Sequence, residues 1–297
     1  MSSGRLFSEV FLRRLERLAL IFRQVATSQK QGERRSSRRG QSVEFTDFRP
    51  YALGDDFRRI DWNAYARLER LFIKLFVAEE DTTLHLLIDT SRSMDWGEPN
   101  KLNYSKQAAG ALGYIGLVGL DRVTVTISRS KNGYANTYFP PARGKQFAIQ
   151  LFSFLQSISP CLDPIDTTPW LGSYASKAVK PGVVVIISDL MSDGWETGLN
   201  LVRGRGHDVS IIHLLAPDES EPAITGDFRL IDSETLAEIE VTADFESLER
   251  YKTHFQDWQD AWRQFCRARN ISYIPVQTTT PLEALLFAWL PQQGILI

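Results

Sequence analysis

From about Thr82 onward the chain alternates short apolar runs with longer segments of helical periodicity, a pattern that few folds accommodate. The strand candidates are Leu84–Ile88, Val123–Ser128, Val183–Ser188 and Val209–Leu214, and Ser272–Val276 is a further one. Helix candidates at Lys101–Leu120, Lys145–Ser157, Trp170–Val179 and Trp195–Val202 separate them. Strand and helix in alternation require crossover connections, which are right-handed and place successive strands parallel. The expected fold is therefore α/β: a Rossmann-type, mostly parallel sheet flanked by helices. Ser247 to Asn270 reads as a long helix with Leu248, Tyr251, Phe255, Trp258, Trp262 and Phe265 at helical spacing, a face for the core.

The 297 residues suffice for one large or two ordinary domains. With 43% hydrophobic and 24% charged residues the composition is that of a globular protein, and a net charge of -2 argues for neither nucleic acid nor membrane. Two cysteines far apart, Cys161 and Cys266, exclude a disulfide framework and a cysteine-based zinc site and fit a reducing compartment. The four histidines, His85, His207, His213 and His254, show no ligand spacing.

Three segments are expected: 1–41, 42–80 and 81–297. The first holds an amphipathic stretch, Val10 to Val25, too rich in arginine for a signal peptide or a span. It reads as a helix packed on the body of the protein, with a membrane-surface or partner-binding helix as alternatives. A polar loop with Arg34, Arg35, Arg38 and Arg39 follows. It reads as a solvated basic loop; the competing reading, phosphate or nucleic-acid binding, lacks interleaved aromatics. The second segment crowds Phe45, Phe48, Tyr51, Phe57, Trp62, Tyr65, Phe72 and Phe76 among many Asp and Arg, which suggests hairpins held by Arg–Asp pairs around rings, with Leu71–Val77 as a strand. There Asp61 and Arg67 are expected to serve structure, with Trp62 buried. The third is the α/β domain with a C-terminal extension.

Chemistry concentrates at one strand end. Asp89-Thr90-Ser91-Arg92-Ser93 follows the run Leu84–Ile88 and precedes the helix from Lys101. One carboxylate and two hydroxyls are hard oxygen ligands suited to Mg²⁺ or Mn²⁺. The loop at the carboxyl end of a strand is where open α/β sheets bind ligands. The bland alternative is a loop whose Asp and Ser cap the next helix. Asp189 ends the run Val183–Ser188, and Asp166-Thr167-Thr168 lies in a loop before a helix; both are placed to complete such a site. Two carboxylates and three hydroxyls only just neutralise a divalent ion and so favour one more anionic oxygen from outside. No phosphate loop of the G-x-x-x-x-G-K-S/T kind and no G-x-S-x-G elbow is present. A metal-dependent phosphate-ester hydrolase is the competing function; its acid or base would have to be Asp95 or Asp193. Gly113, Gly116 and Gly119 repeat at threes within a helical stretch and read as a close-packing face.

These residues resemble the metal-ion-dependent adhesion site of von Willebrand factor A-type domains. Asp89, Ser91 and Ser93 match its D-x-S-x-S element, Asp189 its later aspartate, and Thr168 (or Thr167) its threonine. Upstream, Glu44-Phe45, Arg49, Tyr51, Gly54-Asp55-Asp56, Arg58, Ile60-Asp61-Trp62 and Ala66-Arg67 resemble the signature of domain-of-unknown-function family fifty-eight. From that resemblance Asp55, Arg58, Asp61, Trp62 and Arg67 are structural signature residues. The resemblance implies a von Willebrand A-like domain and a weakly bound Mg²⁺ or Mn²⁺. It also implies a non-enzymatic adaptor for a MoxR-type AAA+ ATPase, or for a client protein supplying an acidic residue, in assembly or maturation of other proteins. No nucleic acid is expected. Many members of the family begin with transmembrane helices; none is read here, which implies a cytoplasmic form.

Overall fold

The computed structural model describes residues 6–28, 43–52, 57, 60–78, 83–128, 138–177, 180–232 and 237–296; for 19–28, 43–49 and 74–78 it describes the backbone alone. Asp55, Arg58 and the loop from Arg34 to Arg39 lie outside the described residues. The chain divides into two compact units, Met1–Gln29 with Thr82–Ile297, and Lys30–Asp81.

The smaller unit pairs β1 (Val43–Pro50) antiparallel with β2 (Phe72–Ala78), with an irregularity between Phe45 and Asp47. Between them runs a two-turn helix, α2 (Trp62–Leu68). Asp61 starts it: the Asp61 carboxylate accepts the N–H groups of Asn63 at 2.9 Å and Ala64 at 3.2 Å. That is an N-cap, which satisfies backbone donors the first turn leaves unpaired. The expectation of a buried Trp62 is overturned. Trp62 is 62% exposed and meets Tyr65 edge-on. The reason is local: α2 buries none of its residues, so its first position has no core to enter.

The larger unit is built on a six-stranded sheet of order β10-β7-β6-β3-β4-β5, with β3 (Thr83–Ile88), β4 (Arg122–Ile127), β6 (Val183–Ser188), β7 (Asp208–Leu215) and β10 (Ser272–Gln277) parallel. Only β5 (Tyr138–Arg143) runs antiparallel, against β4. Pro140 and Pro141 hid β5 from a sequence reading. Proline lacks the ladder donor, so it is tolerated at a sheet edge, which is where β5 lies.

Helices cover both faces. On one side α3 (Lys101–Val118) packs with α1 (Glu9–Ser28) and α4 (Ala148–Gln156) over Leu84, Leu86 and Ile88. On the other, α5 (Thr167–Ser176), α6 (Trp195–Arg203) and α8 (Phe245–Arg267) enclose Leu87, Val184 and Ile186. Helix α1 buries Leu15 and Leu18 in this core, as its periodicity predicts. The glycines of α3 let it approach closely: a Cβ at Gly113 would lie 2.6 Å from Leu151, and one at Gly116 2.8 Å from Val123. Gly119 caps the helix instead. The aromatic face of α8 is core only at its end, where Trp262 and Phe265 are buried and Tyr251 is not.

His85 is fully buried beneath α5, edge-on to Tyr174 and His207. Burial first, and the neighbouring His207 second, push its imidazole down to about 4 from 6.5. The folded state therefore refuses a proton that the unfolded chain accepts. Stability from this group is complete above the unfolded value and is lost as pH falls toward the folded one. Between pH 7 and pH 5 the loss is on the order of 2 kcal/mol. Thermal melts at those two pH values should show a smaller acid-induced drop for His85→Phe than for the wild type. Parallel drops in both proteins would refute the assignment.

Candidate functional site

The connections fix where a site lies in this sheet. From β3 the chain crosses to β4 through α3 on one face; from β6 it crosses to β7 through α6 on the other. The winding direction reverses between β3 and β6, which are neighbours. Loops leaving the carboxyl ends of two such strands part to opposite faces and open a crevice between them. Asp89 follows β3 and Asp189 follows β6, so both carboxylates stand at that crevice.

Asp89 is 2% exposed. The Asp89 carboxylate accepts three hydrogen bonds, from the Ser91 N–H at 2.9 Å, the Ser128 hydroxyl at 3.1 Å and the Ser188 hydroxyl at 2.6 Å. All three donors are neutral. Burial pushes the Asp89 carboxyl up, and the nearby Asp189 charge pushes it further. The Ser91 and Ser93 hydroxyls hydrogen-bond each other, their oxygens 3.0 Å apart. Thr90 turns the other way: the Thr90 N–H donates to the Ser128 hydroxyl and its own hydroxyl donates to the Ser128 carbonyl, which pins the loop to the end of β4.

Asp189 is engaged differently. Its Oδ2 accepts from the Lys101 ammonium at 2.7 Å, and Lys101 also bonds Glu219. Lys101 is wholly buried at the first position of α3. Burial works against its charge, but Asp189 and Glu219 outweigh that and hold the ammonium above its ordinary range. A cation at a helix N-terminus also opposes the helix dipole, so the two carboxylates are what keep it there. Glu219 belongs to α7 (Pro217–Ser220), whose first turn it caps by accepting the Ala216 N–H at 2.7 Å. His213 of β7 completes the surround. The His213 Nε2–H donates to the Asp189 carbonyl at 2.9 Å, and its Nδ1 accepts from the Tyr273 hydroxyl. Burial lowers His213 to about 4, which keeps it neutral.

The structure thus gathers Asp89, Ser91, Ser93 and Asp189 at one crevice. Thr168 lies at the start of α5, where its hydroxyl donates to the Gly194 carbonyl at 3.0 Å. The buried Thr167 hydroxyl bonds that of Ser192 at 2.7 Å. Both threonines therefore tie α5 to the loop after β6; among the described residues, no hydrogen bond joins either to Asp89, Ser91 or Ser93. Of the tryptophans near the site, Trp195 is core, edge-on to Trp170 at 5.8 Å, whereas Trp96 is 58% exposed. Asp95 and Asp193 are exposed, and Asp95 accepts from the Asn100 amide at 3.0 Å. Sequence reasoning missed Lys101, Glu219, Ser128, Ser188 and His213. The two serines had a legible signal, since each closes an apolar strand at the sheet's carboxyl end. The partners of Lys101 lie 88 and 118 residues away, and no local pattern announces them.

The family described as "Protein of unknown function DUF58" matches residues 47–261. The chain belongs to this family. Related uncharacterized proteins of Mycobacterium bovis and Mycobacterium tuberculosis are 28% identical over 201 residues, 66% of this chain and 62% of theirs. The match thus spans less than two thirds of those relatives' length. Among solved structures, the conserved hypothetical protein BatB from Bacteroides thetaiotaomicron aligns over 71% of this chain and 96% of its own, at 14% identity and a TM-score of 0.43. An aerotolerance-related membrane protein from Bacteroides fragilis aligns over 72% and 98%, at 18% identity and a TM-score of 0.42. In this DUF58 chain, no described helix is long and apolar enough to cross a membrane. Of the residues read from the sequence as a structural signature, Asp61 caps α2, while Trp62 and Arg67 are exposed on it.

Proposed function

We propose that the protein is a von Willebrand A-like, metal-dependent interaction module that works as an adaptor for a MoxR-type AAA+ ATPase or its client. The observation that carries this reading is the Ser91–Ser93 oxygen pair, 3.0 Å apart beside a buried carboxylate that has only neutral donors. Adjacent oxygens around an octahedral Mg²⁺ at ~2.0–2.1 Å from each are themselves ~2.9 Å apart. The hydroxyl pair therefore already has the spacing a small divalent cation needs. A buried carboxylate with no cation beside it is electrostatically costly, and Mg²⁺ or Mn²⁺ would remove that cost.

Ser91 and Ser93 would hold the metal, and Asp89 would supply its nearest charge. Asp189 acts chiefly through its field, because its Oδ2 is bound to Lys101. Thr168 donates its proton to Gly194 and keeps lone pairs for a cation. With Lys101 offsetting one carboxylate, the net negative charge offered to the ion is small. Binding is therefore weak in the isolated protein and is completed by a partner's Asp or Glu, and the exposed Trp96 offers that partner an anchor. The two free thiols fit a reducing compartment such as the cytoplasm.

Calorimetric titration with Mg²⁺ or Mn²⁺ should give heat for the wild type and none for Asp89→Ala; identical traces would end the metal assignment. A MoxR-type ATPase from the same source should bind the protein. That association should weaken with chelator and with Ser91→Ala or Ser93→Ala, while circular dichroism is unchanged. Association indifferent to both would exclude metal-mediated docking.

A further inference from the structure

The segment between α7 and α8 forms a two-stranded antiparallel hairpin, β8 (Gly226–Ile231) with β9 (Glu238–Ala243). It springs from the same end of the sheet as Asp89 and Asp189. Glu219 of α7 reaches Lys101, and the Tyr251 hydroxyl of α8 donates to the Glu219 carbonyl at 2.6 Å, so both roots of the hairpin stand there.

Three features mark the hairpin as incomplete. First, its register puts Phe228 opposite Val241 and Leu230 opposite Ile239, which makes one face apolar. That face is uncovered: Phe228 is 37%, Leu230 46% and Ile239 62% exposed. Contiguous exposed apolar surface of this kind marks interaction sites. Secondly, neither strand has a second neighbour in its sheet. A two-stranded sheet is marginal in water and gains from a third strand. Both edges of the large sheet are blunted by proline, Pro140 and Pro141 in β5 and Pro275 in β10. The hairpin strands contain none. Thirdly, the charge is one-sided: Pro217 to Glu249 holds eleven Asp and Glu against the single Arg229. β9 carries Glu238 and Glu240 and no basic residue; Arg229 on β8 pairs with Glu238 and offsets that one exposed carboxylate in part, which leaves Glu240 as the stronger attraction for a cation.

We propose that the outer edge of β9 is a strand-addition site for an extended partner segment in which apolar residues alternate with Lys or Arg. Such a segment sets its apolar side chains beside Ile239 and Val241 and its cations beside Glu238 and Glu240, with main-chain hydrogen bonds completing a third strand. The period-two requirement follows from the strand itself, whose successive side chains point to opposite faces. This surface involves none of the proposed metal ligands and stands or falls apart from the metal reading.

The test uses the whole chain and three labelled synthetic peptides: alternating Val and Lys, the same composition in two blocks, and alternating Val and Glu. Fluorescence anisotropy should show the alternating Val–Lys peptide binding about tenfold tighter than either control, with no response to chelator. Hydrogen exchange should slow at the backbone of 238–241. The double variant Glu238→Lys with Glu240→Lys changes exposed side chains, gives up the exposed Arg229–Glu238 pair at little cost in stability, and should reverse the preference toward the Val–Glu peptide. Equal binding of the blocked peptide, protection elsewhere in the chain, or an unchanged preference after charge reversal would overturn the proposal. So would self-association of the protein that the double variant abolishes without any discrimination among peptides, which would assign the edge to a second copy.

Discussion

Replacing Lys101 by Met is expected to destabilise the protein strongly in metal-free buffer and, at the same time, to strengthen its hold on a divalent cation. Lys101 is fully buried, and its ammonium is the shared partner of Asp189 and Glu219. Methionine fills nearly the same volume, so packing is kept and the charge alone is lost. Two carboxylates then remain, one wholly buried, with no cation between them. Breaking a buried pair in this way costs about 3–5 kcal/mol. For a domain of this size that lowers the melting temperature by on the order of 10 °C. The same substitution frees the Asp189 Oδ2 and raises the negative potential at the crevice. Mn²⁺ should therefore raise the melting temperature of the variant more than that of the wild type, since a ligand stabilises by an amount that grows with its affinity. Adding Glu219→Gln should recover part of the loss in chelator. A wild-type melting temperature in chelator would show that the triad contributes nothing. A smaller metal response than wild type would show that Lys101 does not compete with the ion.

Gly182→Ala is the second large effect expected, and it acts through backbone alone. Gly182 immediately precedes β6, beside the first residue of β3. A Cβ built there would stand 2.2 Å from the carbonyl oxygen of Thr83 and 3.1 Å from its carbonyl carbon. No side chain can rotate away to relieve this. Thr83 is itself held in register with Arg122 on its other side, so the carbonyl has little freedom to retreat. One methyl must therefore push β3 and β6 apart at their start. Overpacking of this sort costs ~1–3 kcal/mol, and the upper end is expected because the clash is with main chain. The melting temperature should fall by about 5–10 °C. The same two strands carry Asp89 and Ser188 at their far ends, where the Ser188 hydroxyl bonds the Asp89 carboxylate at 2.6 Å. The metal binding proposed for this crevice should weaken in the variant as well, read as a smaller calorimetric heat. An unchanged melting temperature would mean that the strand pair shifts at no cost.

Much of this molecule was legible as a string of residues. The α/β class followed from apolar runs separated by helical periods, because burying such runs on both faces leaves a parallel sheet as the practical solution. The starts and ends of β6 and the start of α6 agreed with the reading to the residue. Asp89, Ser91 and Ser93 are neighbours in sequence, so their gathering in one loop needed only a strand before it. Asp61 was read as a structural residue beside an Arg, and its N-cap of α2 emerged only in the structure, where the burial expected of Trp62 was not met either.

What tertiary structure alone decided are the relations across long separations. Strand order placed β6 beside β3, and only that adjacency brings Ser188 to Asp89 and Asp189 to the same crevice. Lys101 is an unremarkable helix residue until α3, β6 and α7 converge on it. The β8–β9 hairpin and the edge strand β5 escaped notice because their apolar residues are sparse or interrupted by proline. Periodicity records which face of an element is buried, and a strand that buries neither face leaves a weak trace. Composition and period are properties of single elements, so the sequence by itself determined the elements of the large sheet and the loop that carries the hydroxyls. Pairing depends on the summed packing of all elements at once, and it is pairing that set the charge balance of the site.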